Sequence, residues 1–209
     1  MPDLSRELAL GSADGRLICG VDEVGRGPLA GRVIAAALIL PPTGLPAELA
    51  SQIKDSKMLS RKARERLAPQ LRTLAAYYAI GAASVEEIDA INIFQASRLA
   101  MERAVAGLGC TPHHALVDGR HVPKLLGCPG TGIIKGDSLS LSIAAASIIA
   151  KVFRDKEMVE LSERFPAYGW AHNAGYPTPE HIAALRRHGA TPHHRTSFSP
   201  VREVLSITR

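Results

Sequence analysis

The chain has 209 residues, enough for one domain with a core of its own, and its 46% apolar and 22% charged residues exclude a disordered chain. Basic residues number 25 against 20 acidic ones, a net charge of +5 that permits a polyanionic partner without demanding one. Residues 1–16 carry Asp3, Glu7 and Asp14 and no long apolar run, and the longest apolar stretch, Val33–Leu40, falls well short of the roughly 20 residues of a membrane helix, so a soluble, cytoplasmic protein with no membrane attachment is expected.

After this N-terminal extension, Leu17–Val21 is an apolar run of strand length that ends in Asp22-Glu23-Val24-Gly25-Arg26-Gly27-Pro28. Val33–Leu40 is a second run, closed by Pro41-Pro42, and the glycine-rich bend between the two predicts a hairpin. Residues 51–72 hold seven basic residues against two acidic ones. A third strand is expected within Leu74–Ala83. Ser84 with Glu87 makes a capping box, and Asn92 with Gln95 resembles another. Ile93, Ala96, Ala100 and Ala104 share one face of the ensuing helix, which Gly107 or Gly109 can end. His114–Val117 is a brief strand leading into Asp118-Gly119, and Thr131–Ile134 is another leading into Lys135-Gly136-Asp137. From Ser138 to about Arg164 the pattern is helical. Its Ile143–Ala150 portion is apolar or small on every side, which predicts burial and close approach to a sheet. Thr178 as N-cap, Pro179 and Gly189 bracket the last clear helix. The pattern is that of an α/β or α+β domain.

Four acids stand apart from those scattered on polar helical faces. Asp22 and Glu23 end the first strand, Asp118 ends a later one, and Asp137 follows Lys135-Gly136. A carboxylate at the end of an apolar strand is costly unless it binds something, and strand ends are where ligands gather in sheets with parallel strands. Converging carboxylates repel one another, and a divalent cation held by oxygen ligands, Mg²⁺ or Mn²⁺, relieves that repulsion. Two such ions would suit phosphoryl displacement. Taken singly, each acid can instead cap a turn or helix, Asp137 the helix that follows it. Asp22 and Glu23 are adjacent, so in a regular strand they face opposite ways; for both to reach one site the strand must twist or end there.

The basic stretch 51–72 suits tracking of a phosphate backbone, or is an ordinary solvated helix. With nine aromatic residues (4%) a stacking platform for single strands is not expected, whereas a duplex gripped by its backbone is. Gly25-Arg26-Gly27 can admit a ligand close to the backbone, or be a tight turn. Tyr176 sits in a turn, where exposure is expected. The three cysteines, Cys19, Cys110 and Cys128, are far apart and form no CxxC pair, and neither His113-His114 nor His193-His194 has zinc spacing, so neither a disulfide framework nor a zinc site is expected. A non-catalytic nucleic-acid-binding module remains open, although a pure binder would not place acids beside phosphates.

Together these stretches resemble the ribonuclease HII family, the bacterial type 2 ribonucleases H. The match is carried by Gly20-Val21-Asp22-Glu23-Val24-Gly25-Arg26-Gly27-Pro28-Leu29-Ala30-Gly31, Lys54-Asp55-Ser56-Lys57, Asn92-Ile93 and Val117-Asp118-Gly119. It continues through Lys135-Gly136-Asp137, Ser142–Val152 with Arg154-Asp155, Gly175-Tyr176, and His194-Arg195 with Ser197-Phe198. The resemblance implies an α/β RNase H-like fold, a mixed five-stranded sheet flanked by helices, with a catalytic core over 17–160 and a helical C-terminal portion over 161–209. It implies a Mg²⁺- or Mn²⁺-dependent endonuclease, with two ions, that cuts RNA in RNA–DNA hybrids and on the 5′ side of single ribonucleotides in duplex DNA, leaving 3′-hydroxyl and 5′-phosphate ends. By matching position Asp22, Glu23, Asp118 and Asp137 are the catalytic metal ligands. Gly25, Arg26 and Gly27 read the ribose 2′-hydroxyl, Tyr176 packs on the sugar 3′ to it, and Ser56 and Lys57 contact backbone phosphate. Arg32 and Ser97 stand where the family pattern has proline and threonine, and neither is expected to touch the site. A related nuclease such as a type 1 ribonuclease H is the alternative within this chemistry. A monomer is expected, and Ser199–Arg209 contains no evident sliding-clamp peptide.

Overall fold

The computed structural model describes residues 1–207. The first two apolar runs pair as an antiparallel hairpin, β1 (Ile18–Val24) with β2 (Val33–Ile39), and β3 (Tyr77–Ala83) pairs antiparallel with β2. On the other side of β1 lies β4 (His114–Asp118), parallel to it, and then β5 (Gly130–Ile133), parallel to β4. The order β3-β2-β1-β4-β5 makes the mixed five-stranded sheet that the resemblance implies.

Every residue of β2 is buried because both faces of the sheet are covered. Val33, Ala35, Ala37 and Ile39 pack toward α4 (Val85–Ala106), while Ile34, Ala36 and Leu38 pack toward α3 (Arg61–Leu74) and α5 (Leu141–Arg164). Both major helices lie directly on glycines. A Cβ on Gly20 of β1 would stand 2.2 Å from the Ser142 carbonyl carbon of α5, and one on Gly81 of β3 would stand 2.1 Å from the Ala100 oxygen of α4. The small residues of Ile143–Ala150 are what permit that approach.

Caps account for the helix limits. The Ser84–Glu87 box is reciprocal, with Ser84 Oγ accepting from Glu87 N at 3.2 Å and Glu87 Oε2 accepting from Ser84 N at 2.9 Å. Asn92 breaks α4 at φ +67° and restarts it, its Oδ1 accepting from Phe94 N and Gln95 N. The buried helix begins later than Ser138. A 3₁₀ turn spans Gly136–Ser138, and Ser140 caps α5, so Asp137 does not serve as that helix's N-cap. Although far apart in sequence, Cys110 and Cys128 pack against the same apolar cluster as Cys19, all three as free thiols.

Ahead of the sheet, α1 (Ser5–Ala9) is fixed to α5 by Glu7, whose Oε1 accepts from Ser140 Oγ, Ser142 Oγ and Ser142 N. The short α2 (Ala47–Ala50) leads toward α3. Beyond α5, α6 (Trp170–Asn173), α7 (Pro179–His188) and α8 (Ser199–Ile207) pack on the β1–β2 connection through clusters that include Leu29 and Ala30. Thr208 and Arg209, the end of the stretch read for a clamp peptide, lie outside the described residues. No helix among the described residues is long and apolar enough to cross a membrane.

Candidate active site

Asp22 and Glu23 lie inside β1, which runs on to Val24, rather than at its end. The pleat therefore sends them to opposite faces. Asp22 turns toward α5, where Ser147 hydrogen-bonds to it, and Glu23 turns toward α4. They are reunited by Asp118. The parallel register sets Val21 beside Val117, so Asp118, the last residue of β4, comes next to Asp22. Its Oδ1 accepts from Gly136 N at 2.6 Å, drawing the turn that carries Asp137 to the same end of the sheet.

The four acids form a row rather than a closed cage. Glu23 lies on the α4 side, Asp22 and Asp118 in the middle, and Asp137 beside Lys57, whose Nζ is 3.9 Å from Asp137 Oδ2. Electrostatics records the crowding. Burial, then Glu23, Asp118 and Asp137, push the Asp22 carboxyl well above the ordinary range, even against the Ser147 hydrogen bond. Glu23 is raised by burial and Asp118 despite Arg26, and Asp137 by burial, Asp118 and Asp55 despite Lys57. Burial opposes the charge on Lys57, but Asp137, Asp55, Asp22 and Asp118 outweigh it and raise its pKa.

Do these donors fit a divalent cation? Their oxygens are all carboxylate, the hard donor set that Mg²⁺ and Mn²⁺ prefer, and Glu23 Oε2 is buried with no hydrogen-bond partner. In kind they fit. In position they are spread: among the described residues no three His, Cys, Asp or Glu side chains are gathered tightly enough to hold an ion as they stand. Glu23 Oε1 is engaged by Arg26 at 3.3 Å, and Asp22 Oδ1 by Glu23 N at 2.8 Å.

Beyond β1 the chain turns through Gly25-Arg26-Gly27, where two buried arginines fix it. Arg195 donates to the carbonyls of Gly25 (2.6 Å), Arg26 (3.0 Å), Pro28 (2.8 Å) and Gly31 (2.8 and 3.0 Å). Arg154 donates to Ala30, Arg32 and Ala174 at 3.0, 3.2 and 3.0 Å. Among the described residues neither has a carboxylate within ion-pair reach, and burial pushes Arg195 down to about 9 and Arg154 down to about 10. Gly25 is required twice over, by φ +94° and because a Cβ would stand 2.2 Å from Arg154 Nε. The exposed Tyr176 ring lies across Gly27, with its Cε1 3.3 Å from where a Cβ would be. The glycines, Arg26 and Tyr176 therefore share one edge, beside Glu23.

Two residues are placed differently from expectation. Ser56 is buried, its hydroxyl 2.8 Å from that of Ser147, so it braces the Lys57 turn against α5 rather than facing solvent. Ser97 lines the hollow that Glu23, Arg26 and Asp118 share, so it does border the site. Its hydroxyl is directed to Ile93 O at 2.7 Å. Arg32 pairs with Glu157, away from the acids. The basic stretch is mostly exposed, and part of it is engaged within the protein. Arg61 pairs with Glu65, and Arg64 with Asp155 and the Ser56 and Leu59 carbonyls, while Lys57 approaches Asp137. Sequence reasoning gave no role to Arg154, Arg195 or Ser147. Their only signal was presence within the stretches that carry the resemblance.

Comparison with known proteins decides the family. The model of the ribonuclease HII family matches residues 19–201. The chain belongs to the ribonuclease HII family. It is 53% identical to ribonuclease HII of Paramagnetospirillum magneticum, over 98% of this chain and 99% of that one. Among solved structures it resembles ribonuclease H2 of Pyrococcus horikoshii OT3, with a TM-score of 0.76, 26% identity and coverage of 91% and 97%. It shares its fold with Bst-RNase HIII solved in complex with Mn²⁺, with a TM-score of 0.70, 20% identity and coverage of 95% and 73%. As a ribonuclease HII the protein is an endoribonuclease of the ribonuclease H type, acting on the RNA of RNA–DNA hybrids in a metal-dependent reaction.

Proposed function

We propose that this ribonuclease HII also cuts duplex DNA on the 5′ side of a single embedded ribonucleotide, leaving 3′-hydroxyl and 5′-phosphate ends, and that Asp22, Glu23, Asp118 and Asp137 hold two Mg²⁺ or Mn²⁺ ions for the purpose. One observation carries the reading: the acidic row and the Gly25–Gly27 edge adjoin, linked by the 3.3 Å contact of Arg26 with Glu23. A phosphate gripped at the acids thus has its ribose at the glycines.

When bound, the ions supply activation of water and stabilisation of charge on the departing 3′-oxygen. The chain's own residues do the rest. Lys57, braced by Ser56 and Ser147, attracts the backbone phosphate. Backbone groups of Gly25, Arg26 and Gly27 pair with the 2′-hydroxyl, the atom that distinguishes RNA from DNA at a given sugar. They are held rigid by Arg195, so a deoxyribose leaves them unpaired. A site built for a hydroxyl rejects the analogue without it by about 10⁴ or more. Tyr176 packs on the next sugar in the 3′ direction. In this reading the enzyme works as a cytoplasmic monomer.

The test is digestion of a DNA duplex carrying one ribonucleotide beside an all-deoxy control, with and without Mg²⁺. Cleavage at the 5′ side of the ribonucleotide alone, and with Mg²⁺ alone, is expected. Cutting of the control, or equal cutting in chelator, would refute the assignment.

A further inference from the structure

Behind Tyr176 lies a buried chain of hydrogen bonds that the proposed chemistry does not use. His181 of α7 is fully buried, as is Trp170 of α6, and His194 is nearly so. Nδ1 of His181 is 2.9 Å from the Tyr176 carbonyl oxygen, which can only accept, so Nδ1 carries the proton. Nε2 of the same ring is then an acceptor, and two donors converge on it: Trp170 Nε1–H at 3.0 Å and His194 Nε2 at 3.1 Å. His194 can donate there because its Nδ1 accepts from Thr191 N at 3.0 Å. Each proton along Thr191–His194–His181–Tyr176 therefore has one place. Burial lowers the pKa of both rings, His194 to about 4, so both are neutral at pH 7 and the pattern holds.

The segment so gripped is one that would not rest there unaided. Ala174 has φ +48°, a left-handed conformation that costs a non-glycine residue roughly 1–2 kcal/mol. It is restrained by Arg154 on its carbonyl at 3.0 Å, and Gly175 by Leu29 N on its own carbonyl at 2.8 Å. These bonds fix the chain up to residue 175, and the Tyr176 backbone is also engaged, its N–H donating to Asn173 O at 2.9 Å and its carbonyl accepting from Thr178 N at 2.8 Å. The only side chain bonded to the Tyr176 carbonyl among the described residues is His181.

We propose that His181 is a positioning residue for Tyr176: its Nδ1–H, with the tautomer set by Trp170 and His194, holds the tyrosine ring across Gly27 and thereby sets the enzyme's efficiency at a single embedded ribonucleotide. This rests on the reading of Tyr176 as a sugar contact. The claim separates two halves of one side chain. The Nδ1 side serves the site, and the Nε2 side serves the core.

Two substitutions divide those halves. His181→Asn places an amide N–H where Nδ1 stands and abandons Trp170 and His194. His181→Gln reaches the Nε2 position and abandons the Tyr176 carbonyl. Cleavage of a single-ribonucleotide duplex and thermal stability are measured for each. The Tyr176 resonance in 3-fluorotyrosine-labelled protein, assigned through Tyr176→Phe, is read without substrate. His181→Gln is expected to keep most of its stability, shift the Tyr176 resonance and lose about tenfold in cleavage, the worth of one hydrogen bond. His181→Asn is expected to melt lower yet keep the resonance in place and cleavage within about twofold of the parent. Activity that ranks with melting temperature, or a Tyr176 resonance unmoved by His181→Gln, overturns the proposal. Each variant decides alone if the other is not recovered folded, since the resonance must stay in the asparagine protein and move in the glutamine one. If the parent enzyme does not cut the embedded ribonucleotide, the functional reading fails while the resonance still decides the positioning.

Discussion

Ser147 and Lys57 favour the charge of Asp22, while burial and three neighbouring acids oppose it and raise its pKa. Its charge is therefore disfavoured in the folded protein. Asp22→Asn keeps the shape and an acceptor for Ser147 and Glu23 N while removing the charge. This variant is expected to lose cleavage entirely. In chelator its thermal unfolding should nonetheless show it more stable than the parent, because the raised carboxyl pKa means that the fold disfavours the charge the substitution removes. A lower melting temperature would mean that Asp22 is a structural anchor. The acids were legible in the sequence because each follows an apolar run beside a glycine. The bracing residues were not. Ser56 turns inward and Ser97 borders the hollow because of the faces that α5 and α4 present, and residue type alone does not fix which way a serine points.

Elements meet at this site because two helices lie on bare glycine backbone. Gly20→Ala would drive a methyl to 2.2 Å from the Ser142 carbonyl carbon, and a backbone atom cannot yield as a flexible side chain can. The expected cost is about 3 kcal/mol or more in denaturant unfolding, with activity reduced because α5 carries Ser147. Gly109→Ala meets nothing within 4 Å and has only φ +74° to oppose it, so about 1 kcal/mol is expected there. Similar costs at the two positions would contradict the close packing. At this scale the sequence was most readable where local chemistry is self-contained, as in the Ser84 box and the Asn92 restart. It was least readable where a segment answers to distant neighbours. Asp137 looked like a cap for α5 because the Asp118–Gly136 bond that shapes its turn spans 18 residues, and the two-residue extension of β1 past Asp22 comes from pairing with β2.

Across the whole molecule, the histidine chain ties the C-terminal helices to the sheet and makes stability depend on pH. His194 has a folded pKa of about 4 against an ordinary 6.5, so the unfolded chain binds its proton first. The contribution of the neutral ring is fully present above pH 6.5 and is lost as pH falls toward 4, a loss on the order of 3 kcal/mol. Tyr168, Trp170, His181 and His193 surround the ring and offer no acid to accept the new charge. The raised pKa values of Asp22, Glu23 and Asp137 tilt the profile the other way, so the comparison to make is with His194→Gln in chelator, whose unfolding free energy should fall less over that window. Identical profiles would show that the ring is not buried neutral. The general architecture followed from the order of apolar runs, whereas the convergence of residues 154, 174 and 195 on the Gly25–Gly31 connection had no local signature.

The most direct measurement is manganese anomalous scattering from crystals of the enzyme soaked in Mn²⁺. Two peaks are expected, within reach of the carboxylates of Asp22, Glu23, Asp118 and Asp137. Manganese bound elsewhere, or any of these four carboxylates left outside the coordination of both ions, would contradict the assigned centre.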